Sequence, residues 1–457
     1  MERHDILYRL YDEFDAETLR EHQSFVDLFP PVDSRVALEH WEDAGEELDR
    51  LKRGIRESLP AGATFAEVAA YADREAAFTA LDLHARYDRA VNALVLDVDE
   101  TLRSAGGTDN EIPRETLHML TELHDTGVPV VICTGQTLEN VKGFMIQGLG
   151  NELVHSGRFS IVYEAGNGVF TPGHGSRTKR LLYEDLDESV RAVFDAVRSR
   201  VLPGAPENVR RGCHLQGNEF NVTLKPNFET GGADAEAVID DGLVHLIDLL
   251  GEVVVDRVAN DLDAGDIGAA DLDASDLDET DADLADRGAA WARAHYAAAD
   301  PEIREVIEAT AADGDADSAV AGDGGSVVDD PMDDPAEAED VPEPVASLFD
   351  RIDVGYYRAD AAEISSLELN KVAGVEAALD VLDVRDPFLL VMGDSKSDLR
   401  VMEWVAERET GISAAPEHAS ADVLSHVLDR DELVFARGQS ATMLRTVYVL
   451  NLLARLE

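Results

Sequence analysis

Two aspartates one residue apart, Asp97 and Asp99, close an apolar run of strand-forming residues that begins at Asn92. The run predicts a fully buried parallel strand, and ligands of open α/β sheets bind just outside the carboxyl ends of such strands. In an extended segment, residues i and i+2 point the same way, so both carboxylates can face one reacting centre. One can act as a nucleophile, while the other protonates the leaving group and then activates water. The alternative is a strand that ends in an aspartate-rich turn.

A second apolar strand, from Val128 to Cys133, is followed by Thr134 and Gly135. A hydroxyl and free backbone N–H groups that lead into a helix over 137–147 suit a phosphate oxygen. The alternative is that Thr134 is only the N-cap of that helix.

A third apolar strand, 388–392, is followed by Asp394 and Asp398, and a lysine, Lys371, begins a helix that runs to Leu382. Carboxylates at strand ends suit a hard cation with oxygen ligands, most naturally Mg²⁺. A lysine ammonium is a point charge for an anionic substrate. Together these residues predict phosphoryl transfer, in which a carboxylate attacks in line while the cation and Lys371 neutralise the phosphoryl oxygens.

Strands and helices alternate around these residues, which predicts an α/β fold with a doubly wound, Rossmann-like parallel-sheet core. An α+β unit is inserted in that core, and within it we expect a helix over 233–250 and a strand over 252–258. The predicted domains are a helical N-terminal extension 1–90, a first core segment 91–170, the α+β insertion 171–360 and a second core segment 361–457.

An acidic, poorly hydrophobic stretch lies at 261–345 within the insertion. We expect it to be disordered apart from a helix over 289–310, because it cannot bury enough apolar surface to order itself. A calcium-loop interpretation of its Asp repeats fails, since Gly and a terminal Glu are missing at the required offsets. The helices of residues 1–90 carry no chemistry, and they either pack on the core or form a homodimer surface.

The composition is strongly acidic, with a formal net charge of -55 from 94 acidic and 39 basic side chains over 457 residues. Acid spread over the whole chain, with Arg favoured over Lys, resembles proteins of extreme halophiles. Such a surface argues against nucleic acid or anionic membranes as partners. Two cysteines, no signal pattern and no membrane-spanning apolar run predict a soluble cytoplasmic protein without a disulfide scaffold.

The ordered set of motifs resembles the haloacid dehalogenase (HAD) superfamily of phosphatases. The D-x-D-x-T motif matches 97–101, an apolar strand ending in Thr matches 130–134, and G-D-x-x-x-D matches 393–398. The lysine motif matches Lys371, at a helix start similar to that of the Cof-type, sugar-phosphatase-like branch. The resemblance covers about 91–260 and 346–430. Two departures stand out, Ser397 where that branch has Asn and Gln136 where Arg is commoner.

The resemblance implies a role for each matched residue. Asp97 would be the nucleophile that forms an aspartyl-phosphate, and Asp99 the general acid and base. The implied phosphate-binding residues are Thr134, Gly135 and Lys371. The implied Mg²⁺ site comprises Asp97, Asp99 through its backbone carbonyl, Asp394, and Asp398 in support of the metal or of Lys371.

The insertion resembles a C2-type cap, which in this superfamily closes over small substrates, and 164–169 resembles the strand and turn that lead into it. The candidate substrate contacts are Arg210, Arg211, His214, Gln216 and Asn218. The alternative is that these are ordinary surface polar residues.

The expected function is a Mg²⁺-dependent phosphatase of a small phosphorylated metabolite, with a sugar phosphate as the favoured substrate class. A phosphomutase is one alternative, disfavoured because an acid/base such as Asp99 favours hydrolysis. A phosphoprotein phosphatase is another, disfavoured by the large insertion. A non-catalytic binding protein is the last, disfavoured by the intact acidic residues and Lys371.

Overall fold

The computed structural model describes residues 3–29, 35–103, 111–218, 220–264, 281–321 and 341–456. The chain divides into two compact units. The core unit comprises Met1–Leu182 and Asn370–Glu457, and the inserted unit comprises Tyr183–Leu369.

Strands and helices are numbered in chain order over the described residues. The strands are β1 Ala93–Leu96, β2 Val130–Cys133, β3 Phe159–Tyr163, β4 Gly168–Phe170, β5 Lys179–Leu181, β6 Cys213–Gln216, β7 Asn221–Pro226, β8 Ile352–Tyr357, β9 Ala361–Ser366, β10 Leu389–Met392, β11 Gly411–Pro416 and β12 Leu433–Phe435. The helices are α1 Arg3–Glu13, α2 Ala16–Leu28, α3 Arg35–Ser58, α4 Gly62–Tyr71, α5 Arg74–Tyr87, α6 Arg114–Asp125, α7 Leu138–Leu149, α8 Asn151–Val154, α9 Glu188–Arg200, α10 Glu207–Gly212, α11 Gly232–Ala264, α12 Asp281–Ala299, α13 Pro301–Ala321, α14 Glu343–Phe349, α15 Lys371–Val381, α16 Lys396–Glu407, α17 Ala421–Asp429 and α18 Ser440–Ala454.

The core unit is built on an eight-stranded sheet in the order β12-β11-β10-β1-β2-β3-β4-β5. The strands from β12 to β3 are parallel, while β4 runs antiparallel to β3 and β5 antiparallel to β4. This arrangement confirms the predicted α/β fold. Leu96 at the end of β1 lies beside Met392 of β10 and Ile132 of β2. The carboxyl ends of the three strands that carry the predicted chemistry therefore meet at one edge.

The central strands are buried on both faces, since every residue of β1, β2 and β10 is buried. Sheet residues with helices on both sides must be apolar throughout, which explains why these strands read as continuous hydrophobic runs in the sequence.

The predicted helical N-terminal extension is confirmed by α1 to α5 over the described residues of 1–90. Helix α5 packs against α18 and α1, and α2 packs against α6. The Tyr87 hydroxyl donates to Glu432 Oε1 at 2.8 Å, and Arg86 donates to the carbonyl of Arg430 at 2.7 Å. The extension thus packs on the core, the first of the two expectations, while the homodimer stays a prediction.

The inserted unit contains an antiparallel sheet in the order β6-β7-β9-β8, with helices packed on it.

The predicted strand 252–258 is wrong, because these residues continue α11 to Ala264. The valines that suggested a strand are instead buried on this helix, which packs along α12. Tertiary packing has overridden the strand propensity of a β-branched run. A Cβ on Gly251 would lie 2.1 Å from the Gly288 carbonyl oxygen, so the α11 and α12 backbones approach very closely there.

The unit boundaries differ from those predicted. Strand β9 falls within the predicted second core segment but belongs to the inserted sheet, and β4 and β5 extend the core sheet to Leu181. The helix expected over 289–310 corresponds to parts of α12 and α13, where Trp291, Tyr296 and Ile303 are buried. The two helices also include 281–288 and 311–321, which were expected to be disordered. The rest of that prediction, over 265–280 and 322–340, lies outside the described residues.

Within the described ranges, none of the helices combines the length and apolar character needed to cross a membrane.

Candidate active site

Asp97 lies immediately after β1 and is only 7% exposed. Its backbone N–H donates to the carbonyl of Met392, the last residue of β10, at 2.9 Å. The parallel pairing of β1 with β10 therefore fixes where the first carboxylate leaves the sheet.

Lys371 is the first residue of α15 and is 4% exposed. The Asn370 side chain caps the helix by accepting from the Ala373 N–H at 3.0 Å. The Lys371 Nζ donates to Asp97 Oδ1 at 2.8 Å and to Asp398 Oδ1 at 2.6 Å. The structure therefore brings together three residues that lie far apart in the sequence.

Two glycines allow α15 to approach the sheet closely enough for this contact. Gly166 has φ +109, and a Cβ on it would lie 2.1 Å from the Asn370 carbonyl oxygen. A Cβ on Gly374, within α15, would lie 2.2 Å from Val162 Cγ1 of β3. Sequence reasoning did not assign a role to either residue, although an isolated glycine in a helix signals a close approach.

Asp398 is fully engaged at the start of α16. Its Oδ2 accepts from the Ser395 backbone N–H at 3.2 Å and from the Ser395 hydroxyl at 2.7 Å, forming a capping box. A Cβ on Gly393 would lie 2.3 Å from Asp398 Cβ, so the glycine leaves room for this side chain. The Ser397 hydroxyl lies 2.9 Å from that of Ser395, so the residue that departs from the Cof-type pattern joins the same cap.

Asp97, Asp394 and Asp398 each offer an oxygen atom, and these atoms lie within 4.8 Å of one another. Burial raises the pKa of Asp97, an effect that Lys371 opposes. Burial, followed by repulsion from Asp398, raises the pKa of Asp394 to about 6. Burial alone would lower the pKa of Lys371, but the two carboxylates beside it outweigh burial and raise it.

Three buried or half-buried carboxylates around one ammonium leave a deficit of positive charge. Oxygen ligands with such a deficit fit a divalent cation of the Mg²⁺ type. Asp97 and Asp394 are the better placed ligands, since Asp398 already accepts from Lys371 and Ser395. The Asp99 side chain is not part of this group.

Thr134 follows β2 and is 1% exposed. Its hydroxyl accepts from the Gln136 N–H at 3.1 Å, and its carbonyl accepts from the Ala165 N–H at 3.0 Å. The N-cap position of α7 is Thr137, so the alternative of Thr134 as the cap of that helix is wrong. Gly135 is exposed between them, with nothing within 4 Å of where a Cβ would lie.

The Asp99 carboxylate has contacts that the sequence did not suggest. Its Oδ1 accepts from the Nε and Nη2 atoms of Arg103 at 3.0 and 2.9 Å. Its Oδ2 accepts from Gln136 Nε2 at 2.5 Å. In the sequence, Gln136 stands out only as a departure from the family pattern, and Arg103 does not stand out at all. The i,i+4 spacing of opposite charges was the available signal for Arg103.

The five candidate substrate contacts all lie in the inserted unit. Arg210 and Arg211 belong to α10, where Arg211 pairs with Glu207 at 2.6 Å. His214 and Gln216 belong to β6, and the Gln216 Nε2 donates to His214 Nε2 at 2.9 Å. Asn218 follows β6, and its side chain accepts from the Phe220 N–H at 2.8 Å. The contribution of all five to substrate binding stays a prediction.

Residues 94–193 match a family model described as haloacid dehalogenase-like hydrolase. The matched segment begins in β1 and includes Asp97, Asp99 and Thr134. This match supports the expectation that the chain is an enzyme of the hydrolase class.

The fold is also similar to several solved structures. One is a trehalose-6-phosphate phosphatase from Aspergillus fumigatus, 13% identical, with a TM-score of 0.40, covering 81% of this chain and 97% of that chain. Another is a HAD-superfamily phosphatase from Bacteroides thetaiotaomicron, 13% identical, with a TM-score of 0.37 and coverage of 79% and 96%. A HAD subclass IIB sugar phosphatase is 12% identical, with a TM-score of 0.39 and coverage of 79% and 99%.

No sequence among the curated proteins matches this chain. Over residues 94–193 the chain is thus similar to haloacid dehalogenase-like hydrolases, in the segment that supplies Asp97, Asp99 and Thr134 to the candidate site.

Proposed function

We propose that this protein is a Mg²⁺-dependent phosphatase that hydrolyses a small phosphorylated metabolite through an aspartyl-phosphate. One observation carries the proposal: the Lys371 ammonium contacts Asp97 at 2.8 Å and Asp398 at 2.6 Å, with Asp394 in the same cluster of oxygens. An arrangement of acids and one lysine at strand ends supports phosphoryl transfer, which depends mainly on positioning and charge neutralisation.

In the first step, an Asp97 carboxylate oxygen attacks the substrate phosphorus. The bond from phosphorus to the leaving-group oxygen breaks, and that oxygen takes a proton from the Asp99 carboxyl group. Lys371, the Thr134 hydroxyl and the backbone N–H of Gly135 donate hydrogen bonds to the phosphoryl oxygens.

In the second step, water attacks the phosphorus of the aspartyl-phosphate and transfers a proton to Asp99. The bond from phosphorus to the Asp97 oxygen breaks, which restores the free carboxylate and releases inorganic phosphate. Asp99 thereby regains the proton that it gave up in the first step.

Asp97, Asp394 and the backbone carbonyl of Asp99 would hold the Mg²⁺, with Asp398 in support. When bound, the cation would supply the positive charge that the carboxylate cluster lacks and that a phosphoryl group needs.

The choice of a small phosphorylated metabolite, with a sugar phosphate favoured, rests on the resemblance of the inserted unit to a C2-type cap. We expect its polar residues on α10 and β6 to contribute to substrate choice. The net charge of -55 supports activity at high salt concentration in the cytoplasm, where salt screens the repulsion within the surface.

The test is the hydrolysis of 4-nitrophenyl phosphate in molar KCl with and without Mg²⁺, followed by a panel of phosphorylated metabolites. Wild-type protein should release phosphate only with the divalent cation, and Asp97→Asn should be inactive. Acid-stable phosphate should appear on the wild-type chain during turnover and not on the variant. Equal activity of wild type and Asp97→Asn would refute the proposal.

A further inference from the structure

The Asp99 carboxylate is held from two sides by residues of different chain segments. Arg103 donates two hydrogen bonds to Oδ1, and Gln136 donates one to Oδ2. A carboxylate offers about four acceptor positions on its two oxygens. Residues that the structure describes fill three of these positions, and the fourth is on Oδ2.

Arg103 is not a mobile surface side chain. Its side chain is only 9% exposed, and its guanidinium lies 4.6 Å from the centre of the Phe144 ring of α7. The backbone turn is also fixed, since the N–H groups of Leu102 and Arg103 both donate to the Val98 carbonyl. A planar guanidinium stacked on a ring presents its donors in one orientation.

Gln136 is fixed in the same way on the opposite side. Its N–H donates to the Thr134 hydroxyl at 3.1 Å, and its carbonyl accepts from the Glu164 N–H at 2.9 Å. The loop that follows β2 is therefore tied both to its own strand and to the end of β3. The side-chain amide of Gln136 therefore contacts Asp99 from a backbone that these two hydrogen bonds fix in place.

We propose that Arg103 and Gln136 are positioning residues that fix the Asp99 carboxyl group, so that its proton lies on Oδ2 and is delivered to the leaving-group oxygen. This inference rests on the proposed phosphatase function. Neither residue is required to touch the substrate. Phe144 contributes by holding the Arg103 guanidinium.

Leaving-group dependence separates this role from substrate binding. A nitrophenolate leaves without much help from an acid, whereas an alkoxide needs a proton. Arg103→Met should lower kcat/KM for an alkyl phosphate by about 10- to 100-fold, since general acid catalysis typically contributes that much or more. For 4-nitrophenyl phosphate, kcat/KM of the same variant should stay within about threefold of the wild-type value, because nitrophenolate leaves without much help from an acid. The later hydrolysis of the aspartyl-phosphate does not affect this comparison, since kcat/KM reports only the steps through leaving-group departure.

Matched controls are available in the chain. Arg9 makes the same i,i+4 contact with Glu13, with its Nε at 3.0 Å, but its side chain is 36% exposed. Arg9→Met should leave kcat/KM for both substrates unchanged.

Arg103→Lys keeps the positive charge but lacks the two hydrogen bonds of the guanidinium, so it should keep only part of the wild-type kcat/KM for the alkyl phosphate. Gln136→Leu should show the same split between substrates as Arg103→Met, and it serves as the second variant if Arg103→Met folds poorly.

The Asp99→Asn variant tests whether Arg103 acts only through Asp99. If Arg103 acts only through Asp99, adding Arg103→Met to Asp99→Asn should cost less than a further twofold. A further loss of tenfold, or an equal loss on both substrates in the single variant, would overturn the inference. Wild-type protein that hydrolyses neither substrate would instead refute the phosphatase proposal itself.

Discussion

The Lys371 Nζ lies 2.8 Å from Asp97 Oδ1, although the two residues are 274 positions apart in the chain. The contact joins the two segments of the core unit, because Asp97 follows β1 and Lys371 begins α15 after the inserted unit. A second contact, to Asp398 at 2.6 Å, fixes the ammonium between two carboxylates. Among the described residues, Lys371 is thus the cation in direct contact with both Asp97 and Asp398.

Replacing Lys371 with Met should destabilise the metal-free protein as well as abolish phosphatase activity. Removing one partner of a buried ion pair leaves uncompensated charge, which typically costs about 3–5 kcal/mol. Guanidinium unfolding at constant ionic strength measures the loss, and Mg²⁺ should restore part of it. Lys179→Met, at an exposed position of β5, is the control. Unchanged stability of Lys371→Met would contradict the charge balance described here.

The stability of the metal-free protein should depend on pH through Asp394. Its pKa is raised to about 6 in the folded state, above the ordinary value of 3.8. A raised folded pKa means that the native state holds the proton more tightly. This contribution to stability is thus present below the unfolded pKa and is lost as pH rises through about 6.

Asp394→Asn removes that titration, so the variant should gain stability relative to wild type as pH rises from 5 to 8 in EDTA, a range set by the shift described. Chemical unfolding of both proteins across that range measures the difference. Saturating Mg²⁺ should reverse the ranking at the upper end. Parallel stability curves for the two proteins would contradict the raised pKa.

Binding of Mg²⁺ should release protons. Burial raises the pKa of Asp97 and of Asp394, while oxygen ligands bind a cation in their deprotonated form. Titration calorimetry near neutral pH in two buffers of different ionisation enthalpy measures the number of protons released. An apparent enthalpy that does not depend on the buffer would contradict the raised pKa values of the two carboxyl groups.

Gly374→Ala should displace α15 and with it Lys371. The added Cβ would lie 2.2 Å from Val162 Cγ1, and overpacking of this kind costs about 1–3 kcal/mol. Activity should fall together with stability. Gly143→Ala in α7 is the matched control, because nothing lies within 4 Å of its Cβ, and it should stabilise the helix slightly. Equal thermal midpoints for the two variants would show that α15 can shift freely.

Tyr87→Phe should loosen the N-terminal extension from the core. Glu432, with a side chain only 1% exposed, accepts from the Tyr87 hydroxyl at 2.8 Å and from the Ser413 N–H at 2.7 Å. A hydrogen bond to a charged acceptor contributes about 1.5–3 kcal/mol. Urea unfolding of the variant measures this loss, and Tyr8→Phe, at a 50% exposed position, is the control. Equal unfolding midpoints would mean that the hydroxyl is not needed for docking.

The features of the molecule that follow from local pattern could be predicted from the sequence. The apolar strands that precede Asp97, Thr134 and Asp394 are recognisable in the sequence, because a strand buried on both faces must be apolar. The polar residues that follow such strands are then expected to have a role other than packing. Their convergence follows from the parallel-sheet rule, and strand order confirms that β1, β2 and β10 are neighbours.

The features that depend on tertiary packing could not be predicted. The valines of 252–258 continue α11 because α12 offers them a surface to pack on, which their own propensity does not reveal. The approach of Gly166 to Asn370 joins residues from opposite sides of the insertion. Arg103 was overlooked because an i,i+4 charge pair normally indicates an exposed helix, whereas here it forms within a turn.

The position of β1 in the sheet has a consequence for synthesis of the chain. Its partner β2 follows soon after it, whereas its other neighbour, β10, emerges only after the whole inserted unit. During translation β1 therefore presents an unpaired, wholly apolar edge, of the kind that invites association between nascent chains. Mutual repulsion between acidic chains opposes such association at low ionic strength but is screened in concentrated salt, so the unfinished sheet is least protected where the folded surface is best stabilised.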